Sequence, residues 1–248
     1  MTLEQFFAEN REVAVAFSGG VDSAYLLYAA TRYAARVKAY YVSTAFQPEF
    51  ELADARRLAD ELGADMLVLH MDVLSNSAVT ANPSDRCYHC KNTLFRQILR
   101  AAENDGFPVL LDGTNASDNA GDRPGMRALR ELSVRSPLRE CGLTKAEIRR
   151  LSKEAGLFTW DKPAYACLAT RIRTGEEITL QKLKQTEKAE GFLFGLGFRD
   201  FRVRMVDNTA KLELREADLP LLLENREKIV TELRKDYDSV LLNLEVRK

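Results

Sequence analysis

Short apolar runs alternate with stretches of helical spacing through the first half of the chain. Glu12-Val-Ala-Val-Ala16 is brief enough for a buried strand, and Ala24-Tyr-Leu-Leu-Tyr-Ala-Ala30 repeats its large apolar groups at helical intervals. Residues 37–42 predict a second strand. Residues 48–62 predict a helix opened by Pro48 and closed by Gly63, and residues 65–70 a third strand. Residues 87–100 place Leu94 and Ile98 on one helical face, and residues 108–112 form a fourth strand that runs into Gly113-Thr-Asn115. Strands alternating with helices imply an α/β fold, a parallel sheet with helices on both faces. Ligands in such sheets bind at the carboxyl ends of the strands. The turn after the first strand, Ser43-Thr44, His70 and Asp112-Gly-Thr114 all fall there.

Residues 116–143 lose this regularity and scatter arginines and aspartates among glycines and prolines, a polar length more often functional than idle. Thr144-Lys-Ala-Glu147 is a capping box for a helix to Ala155, ended by Gly156. Residues 160–172 carry neither period and read as an ordered loop. From Glu176 the pattern becomes helix (180–196), hairpin (201–206 and 209–214), helix (218–237) and strand (239–246). A unit of about 70 residues with this content is a small α+β domain. The expected division is therefore 1–172 for the α/β domain and 173–248 for a small domain serving substrate binding or oligomerisation, with the boundary between Arg171 and Ile178.

Composition narrows the class. Of 248 residues, 46% are hydrophobic and 29% charged, as in globular proteins. A net charge of −1 supplies no general basic field for nucleic acid. No run approaches the ~20 apolar residues that cross a bilayer, and the N-terminus lacks a basic stretch leading into an apolar core. A cytoplasmic protein is expected, with its cysteines at 87, 90, 141 and 167 reduced and available for metal or reactive chemistry.

The turn after the first strand, Phe17-Ser-Gly-Gly-Val-Asp-Ser23, suits phosphate. Adjacent glycines let backbone N–H groups approach a ligand, and the following helix adds unpaired N–H groups at its positive end. Ser18 and Ser23 offer hydroxyls, while Asp22 makes sense as a magnesium ligand beside the phosphates. The turn lacks the GxxxxGK[ST] spacing and the lysine of a kinase-type P-loop. The plain alternative is a strand-to-helix turn capped by Asp22 or Ser23. Cys87 and Cys90 form a CxxC pair at a predicted helix N-terminus. A zinc site using His89 or His70, a [4Fe–4S] cluster held by three thiolates, and a dithiol redox pair all remain open. Cys141, beside Gly142 and without a partner motif, reads as a small buried apolar side chain.

The turn resembles the SGGxDS loop of the PP-loop ATP pyrophosphatases, which implies attack at the α-phosphate of ATP, adenylation of a substrate and release of pyrophosphate. The same loop, Cys87-Tyr-His-Cys90-Lys91, Leu111-Asp-Gly-Thr-Asn115, Asp122-Arg-Pro-Gly125, Lys162-Pro-Ala-Tyr-Ala-Cys167-Leu-Ala-Thr-Arg171 and Phe201-Arg-Val-Arg204 together resemble the LarE family over nearly the full length. Its members are ATP-dependent sulfur transferases that help make the nickel-pincer nucleotide cofactor. The resemblance implies that a carboxylate of a pyridinium dicarboxylate mononucleotide is adenylated and that sulfur then displaces AMP to give a thiocarboxylate.

It further implies ATP and magnesium at Phe17, Ser18, Gly19, Gly20, Asp22, Ser23, Ser43 and Gly113, with Arg123 and Arg127 near the nucleotide. The substrate falls to Thr170, Arg171, Glu190, Arg202 and Arg204. The family has two sulfur strategies: a sacrificial cysteine, opposite which this chain carries Ala166, and a [4Fe–4S] cluster, whose ligands match Cys87, Cys90 and Cys167. The second is expected here, with a sulfide donor as partner and a homo-oligomer plausible. Arg202 and Arg204 alternate on one strand face and suit a phosphate in fork geometry, against an ordinary exposed face as alternative. Competing functions are a cluster-dependent tRNA thiolase, for which a basic face would be expected, an ammonia-using synthetase, and a non-catalytic nucleotide-binding or redox-sensing module.

Overall fold

A computed structural model describes residues 1–118 and 124–247. The chain divides into two compact units, Met1–Val73 with Asp85–Ala164, and Leu74–Ser84 with Tyr165–Lys248. In chain order, the first unit contains α1 (Leu3–Glu9), β1 (Glu12–Ala16), α2 (Val21–Tyr33), β2 (Arg36–Ser43), α3 (Glu49–Leu62) and β3 (Asp65–His70). The short α4 (Ser77–Thr80) belongs to the second unit; the first resumes with α5 (Arg86–Asn104), β4 (Val109–Leu111), α6 (Pro124–Glu131), α7 (Pro137–Glu140) and α8 (Lys145–Glu154).

The strands form one parallel sheet in the order β3-β2-β1-β4. Val13 of β1 pairs with Val37 on one side and Val109 on the other, so the strand order reverses beside β1. A crevice opens at such a reversal, at the carboxyl ends of β1 and β4. Alternation along β2 sorts the two faces: Tyr41 joins Phe6, Leu27, Leu58 and Ile148 from α1, α2, α3 and α8, whereas Tyr40 joins Ile98, Ala102 and Phe107 on the α5 side. Both tyrosines are essentially buried. Local signals set the helix ends. Gly63 closes α3 at φ +60, Thr144 and Glu147 form the capping box of α8, and Thr2 with Gln5 forms one for α1, which the apolar pattern did not reveal.

The second unit holds α9 (Leu180–Gly195), β5 (Arg202–Val206), β6 (Thr209–Glu213), α10 (Leu219–Glu224), α11 (Arg226–Leu233) and β7 (Ser239–Leu242). β5 and β6 are an antiparallel hairpin and β7 joins β6 in parallel. Leu193, Phe198, Phe201, Val203 and Ile229 fill its core. The single helix expected over 218–237 is broken at Asn225 (φ −102, ψ 10), which ends α10 and starts α11.

The division between units falls before Tyr165 rather than in 171–178, because 165–178 is tied to a distant stretch of chain. Asn82, at φ +51, donates its side-chain amide to the carbonyl of Arg173 at 2.9 Å. The Gly175 N–H donates to Asn82 at 2.9 Å and the Ile178 N–H to Thr80 at 2.8 Å. Among the described residues no helix is long and apolar enough to cross a membrane.

Candidate functional site

The turn after β1 is built for close approach. Gly19 sits at φ +73, and a Cβ there would lie 3.3 Å from the Ala55 Cβ on α3. Gly20 is the N-cap of α2 and has no side chain with which to cap it. Ser23 is tied elsewhere: its Oγ donates to the Gly20 carbonyl at 3.2 Å, accepts the Ser18 N–H at 3.3 Å and lies 3.0 Å from the Ser18 Oγ. The N-terminal N–H groups of α2 are thereby left for a ligand, and a cap by Asp22 or Ser23 is not what forms. Gly113, at the exit of β4, is fixed by the same approach, since a Cβ there would stand 2.9 Å from the Ser23 nitrogen. Phe17 is buried, and its N–H donates to Tyr40, which anchors the turn in the core.

A cavity opens at this crevice, lined by Ser18, Gly20, Asp22 and Ser23 of the turn and by Gly113, Thr114 and Asp118 from beyond β4. Lys91 of α5 lines it too. Gly125 of α6 leaves room for the lysine stem, as a Cβ there would meet its Cδ at 3.1 Å. Asp22 is half-finished: Oδ2 accepts from Lys145 Nζ at 2.7 Å, while Oδ1 is buried with no hydrogen-bond partner among the described residues. An orphaned carboxylate oxygen costs about 1–3 kcal/mol unless something supplies positive charge or a donor. A magnesium ion fits that need. Asp112, by contrast, accepts from the hydroxyls of Thr114 and Ser136 and is a structural acid.

Lysines absent from the loop itself are thus brought to it from far along the chain. Lys145 meets Asp22 from 123 positions away, and Lys162 donates to the Gly19 carbonyl at 3.4 Å from 143 positions away while paired to Asp54 at 2.7 Å. None of the three lysines was expected as a site residue, although Lys91 follows the CxxC pair and Lys162 opens the Lys162-Pro-Ala-Tyr-Ala-Cys167 run. Other expected residues fall elsewhere. Ser43 ends β2 in register with His70 and is not among the cavity walls. Arg127 lies 3.9 Å over the Tyr88 ring and 3.8 Å from Glu131. Arg123 lies outside the described residues.

Cys87 and Cys90 stand three positions apart on the first turn of α5, so they share a face. Cys87 is exposed and Cys90 half-buried. The buried Arg86 donates to the Cys87 sulfur at 3.7 Å, and His89 lies 3.4 Å from Asp85. The pair offers two ligands to a thiophilic metal. Cys167 belongs to the second unit. Among the described residues no group of three or more His, Cys, Asp or Glu is arranged to hold a metal ion. Cys141 packs against the first unit's core, and burial pushes its thiol pKa up, as expected of an inert side chain.

In the second unit, Cys167 precedes a 3-10 turn over Leu168–Arg171, and its carbonyl accepts the Thr170 N–H at 2.9 Å and hydroxyl at 2.8 Å. Arg171 reaches back to the Ala166 carbonyl at 2.9 Å and forks onto Glu190 at 2.8 and 3.1 Å. The pair is 1% and 2% exposed. Glu190 also accepts the Val203 N–H at 2.9 Å and the Tyr165 hydroxyl, so its oxygens are occupied within the unit. Burial is the largest influence and lowers the Arg171 pKa, but the hydrogen bond and charge of Glu190, with smaller contributions from Tyr165 and Cys167, together make the net shift upward.

The two strand arginines differ. Arg204 is compensated, with Nε 2.7 Å from Glu213 and Nη1 on the Thr170 carbonyl at 2.5 Å. Arg202 is buried, donates to the Phe201 carbonyl at 2.6 Å and lies 3.8 Å from Asp200, and its pKa is pulled down by burial and then by Arg171 and Arg247.

The asparagine synthase family model matches residues 4–152. The chain is 39% identical over 215 residues to an uncharacterised protein of Synechocystis sp., covering 86% of this chain and 80% of that one. It is 34% identical over 218 residues to the pyridinium-3,5-bisthiocarboxylic acid mononucleotide synthase of Lactiplantibacillus plantarum, covering 87% and 79%. A protein of Methanocaldococcus jannaschii is 31% identical over 240 residues, covering 96% and 91%.

Proposed function

Since the chain belongs to the LarE family of pyridinium-3,5-bisthiocarboxylic acid mononucleotide synthases, ATP-using PP-loop sulfur transferases, we propose that it converts a carboxylate of a pyridinium dicarboxylate mononucleotide to a thiocarboxylate. The observation that carries the reading is Asp22, with one buried oxygen unpartnered among the described residues, in the wall of a cavity that Ser18, Gly20, Ser23, Lys91, Gly113 and Thr114 also line, together with Asp112 and Asp118.

ATP places its phosphates against the N–H groups of Gly20 to Ser23, with Ser18 and Gly19 shaping the bend and Gly113 allowing the approach. Lys91 offsets phosphate charge. Asp22 is the residue that would hold magnesium, which supplies further charge compensation on the departing pyrophosphate. The substrate carboxylate attacks the α-phosphorus and pyrophosphate leaves with the bonding electrons. Sulfur then attacks the acyl carbon and AMP leaves. Arg202 binds the mononucleotide phosphate with Arg204 beside it. Thr170, Arg171 and Glu190 fix the turn that carries Cys167.

For the sulfur, the reading adds that Cys87, Cys90 and Cys167 are ligands of a [4Fe–4S] cluster, with zinc as the rival occupant. What supports this is the thiol set and the CxxC pair on one helical face. When bound, it would supply sulfur as the nucleophile. Anaerobic purification with iron and acid-labile sulfide analysis checks it, and zinc or bare thiols after reconstitution would remove it.

The reaction itself is tested with ATP, magnesium, sulfide and the dicarboxylate mononucleotide. AMP and pyrophosphate should appear together, with a product heavier by the oxygen-to-sulfur exchange. ATP binding without pyrophosphate release under these conditions would sink the proposal.

A further inference from the structure

Lys145 stands in an unfavourable place. It is the first residue of α8, where the helix dipole disfavours a cation. Its backbone N–H is taken by the Ser117 hydroxyl at 2.9 Å, and its ammonium reaches Asp22 Oδ2 at 2.7 Å. The bland explanation is an ion pair that ties α2 to α8. Those helices are already joined by buried apolar contact, with Leu27 and Ile148 in one core. The pair itself is 33% and 24% exposed, in the range where an ion pair adds ~0–1 kcal/mol. Stability does not explain a lysine at this position.

Asp22 points to another role. One of its oxygens carries the lysine and the other is buried without a partner in the cavity wall, so the carboxylate is held in place yet incompletely neutralised. An ammonium this close opposes a second cation on the same carboxylate. A lysine stem has rotatable bonds and a compact charge that can pass to a phosphate oxygen once one arrives.

We propose that Lys145 is a stand-in cation: without nucleotide it occupies Asp22 and holds off divalent metal, and when ATP brings its metal ion Lys145 transfers to the polyphosphate. This rests on the nucleotide site proposed above. Metal and ATP are thereby coupled, each raising the affinity of the other by the same factor. Lys145 is a positioning residue for Asp22 in the empty site and a phosphate ligand in the filled one.

The test uses the full chain, Mn2+ as probe followed by electron paramagnetic resonance, and calorimetry of ATP binding with metal. Lys145→Met should bind Mn2+ without nucleotide about tenfold more tightly than the wild type, and metal–ATP more weakly, so that the coupling falls toward unity. Lys145→Arg should keep the wild-type weakness for bare Mn2+. In the Lys145→Met, Asp22→Asn double variant the gain should vanish. If Lys145→Met changes neither affinity, or if the gain survives loss of the Asp22 charge, the inference is overturned while the nucleotide site stands. A wild-type chain that binds no ATP with or without metal overturns the site and this inference together.

Discussion

Asp22 and Glu190 are both acids beside a basic side chain, and they are finished to different degrees. Glu190 accepts from Arg171, Tyr165 and the Val203 N–H and is sealed from water. Asp22 has one oxygen on Lys145 and the other orphaned at a cavity wall. A carboxylate with all its acceptors used inside the protein holds shape; one with an unpartnered oxygen at a cavity wall keeps the capacity to take a cation or a donor. The difference is one of hydrogen-bond capacity, used up in Glu190 and left over in Asp22.

Substitutions ranked by the unfolding free energy they change can break that comparison. Glu190→Ala leaves the buried Arg171 charge alone and should cost about 3–5 kcal/mol in urea denaturation of the second unit. A loss below ~1 kcal/mol would mean that the brace is not one. Gly113→Ala forces a Cβ against the Ser23 backbone and should cost about 1–3 kcal/mol while weakening ATP binding, read by calorimetry on the same sample. Arg204→Ala removes a half-exposed pair and should cost ~0–1 kcal/mol, leave ATP affinity intact and raise the KM for the phosphorylated substrate. Asp22→Asn should change stability least, within about 0.5 kcal/mol, yet slow pyrophosphate release ~10²–10³-fold. If Asp22→Asn unfolded the protein and Glu190→Ala merely slowed it, the two roles would have to be exchanged.

The first unit was legible because its signals are local. A strand, two glycines and a helix start within a dozen residues, and Pro48, Gly63 and the Thr144 box mark helix ends by their own backbone chemistry. The loop's lysines were not legible, since nothing near Lys145 or Lys162 in the sequence says which turn it faces after more than a hundred intervening residues. α6 and α7 hid in a stretch that looked irregular. α7 is four residues long, too short for any period, and α6 buries only Gly125, Ala128 and Leu129 among its arginines. The paired strand arginines were visible as alternation, but the partners of Arg204, Glu213 and the Thr170 carbonyl, come from elsewhere in the chain and could not be read from the strand.

The segment 74–84 gives the molecule a timetable. Asn82 finds its partners at Ile172 and Arg173, 90 and 91 positions later, so during synthesis it emerges long before anything can hold it. At ~5–20 residues per second the wait lasts on the order of 5–20 s, with the finished fold's fully covered Val79 left open to water or a chaperone. Slower translation between residues 85 and 164 lengthens that exposure. Protease treatment of ribosome-bound chains stalled at increasing lengths would read the interval as cleavage within 74–84 that stops once Ile178 has emerged.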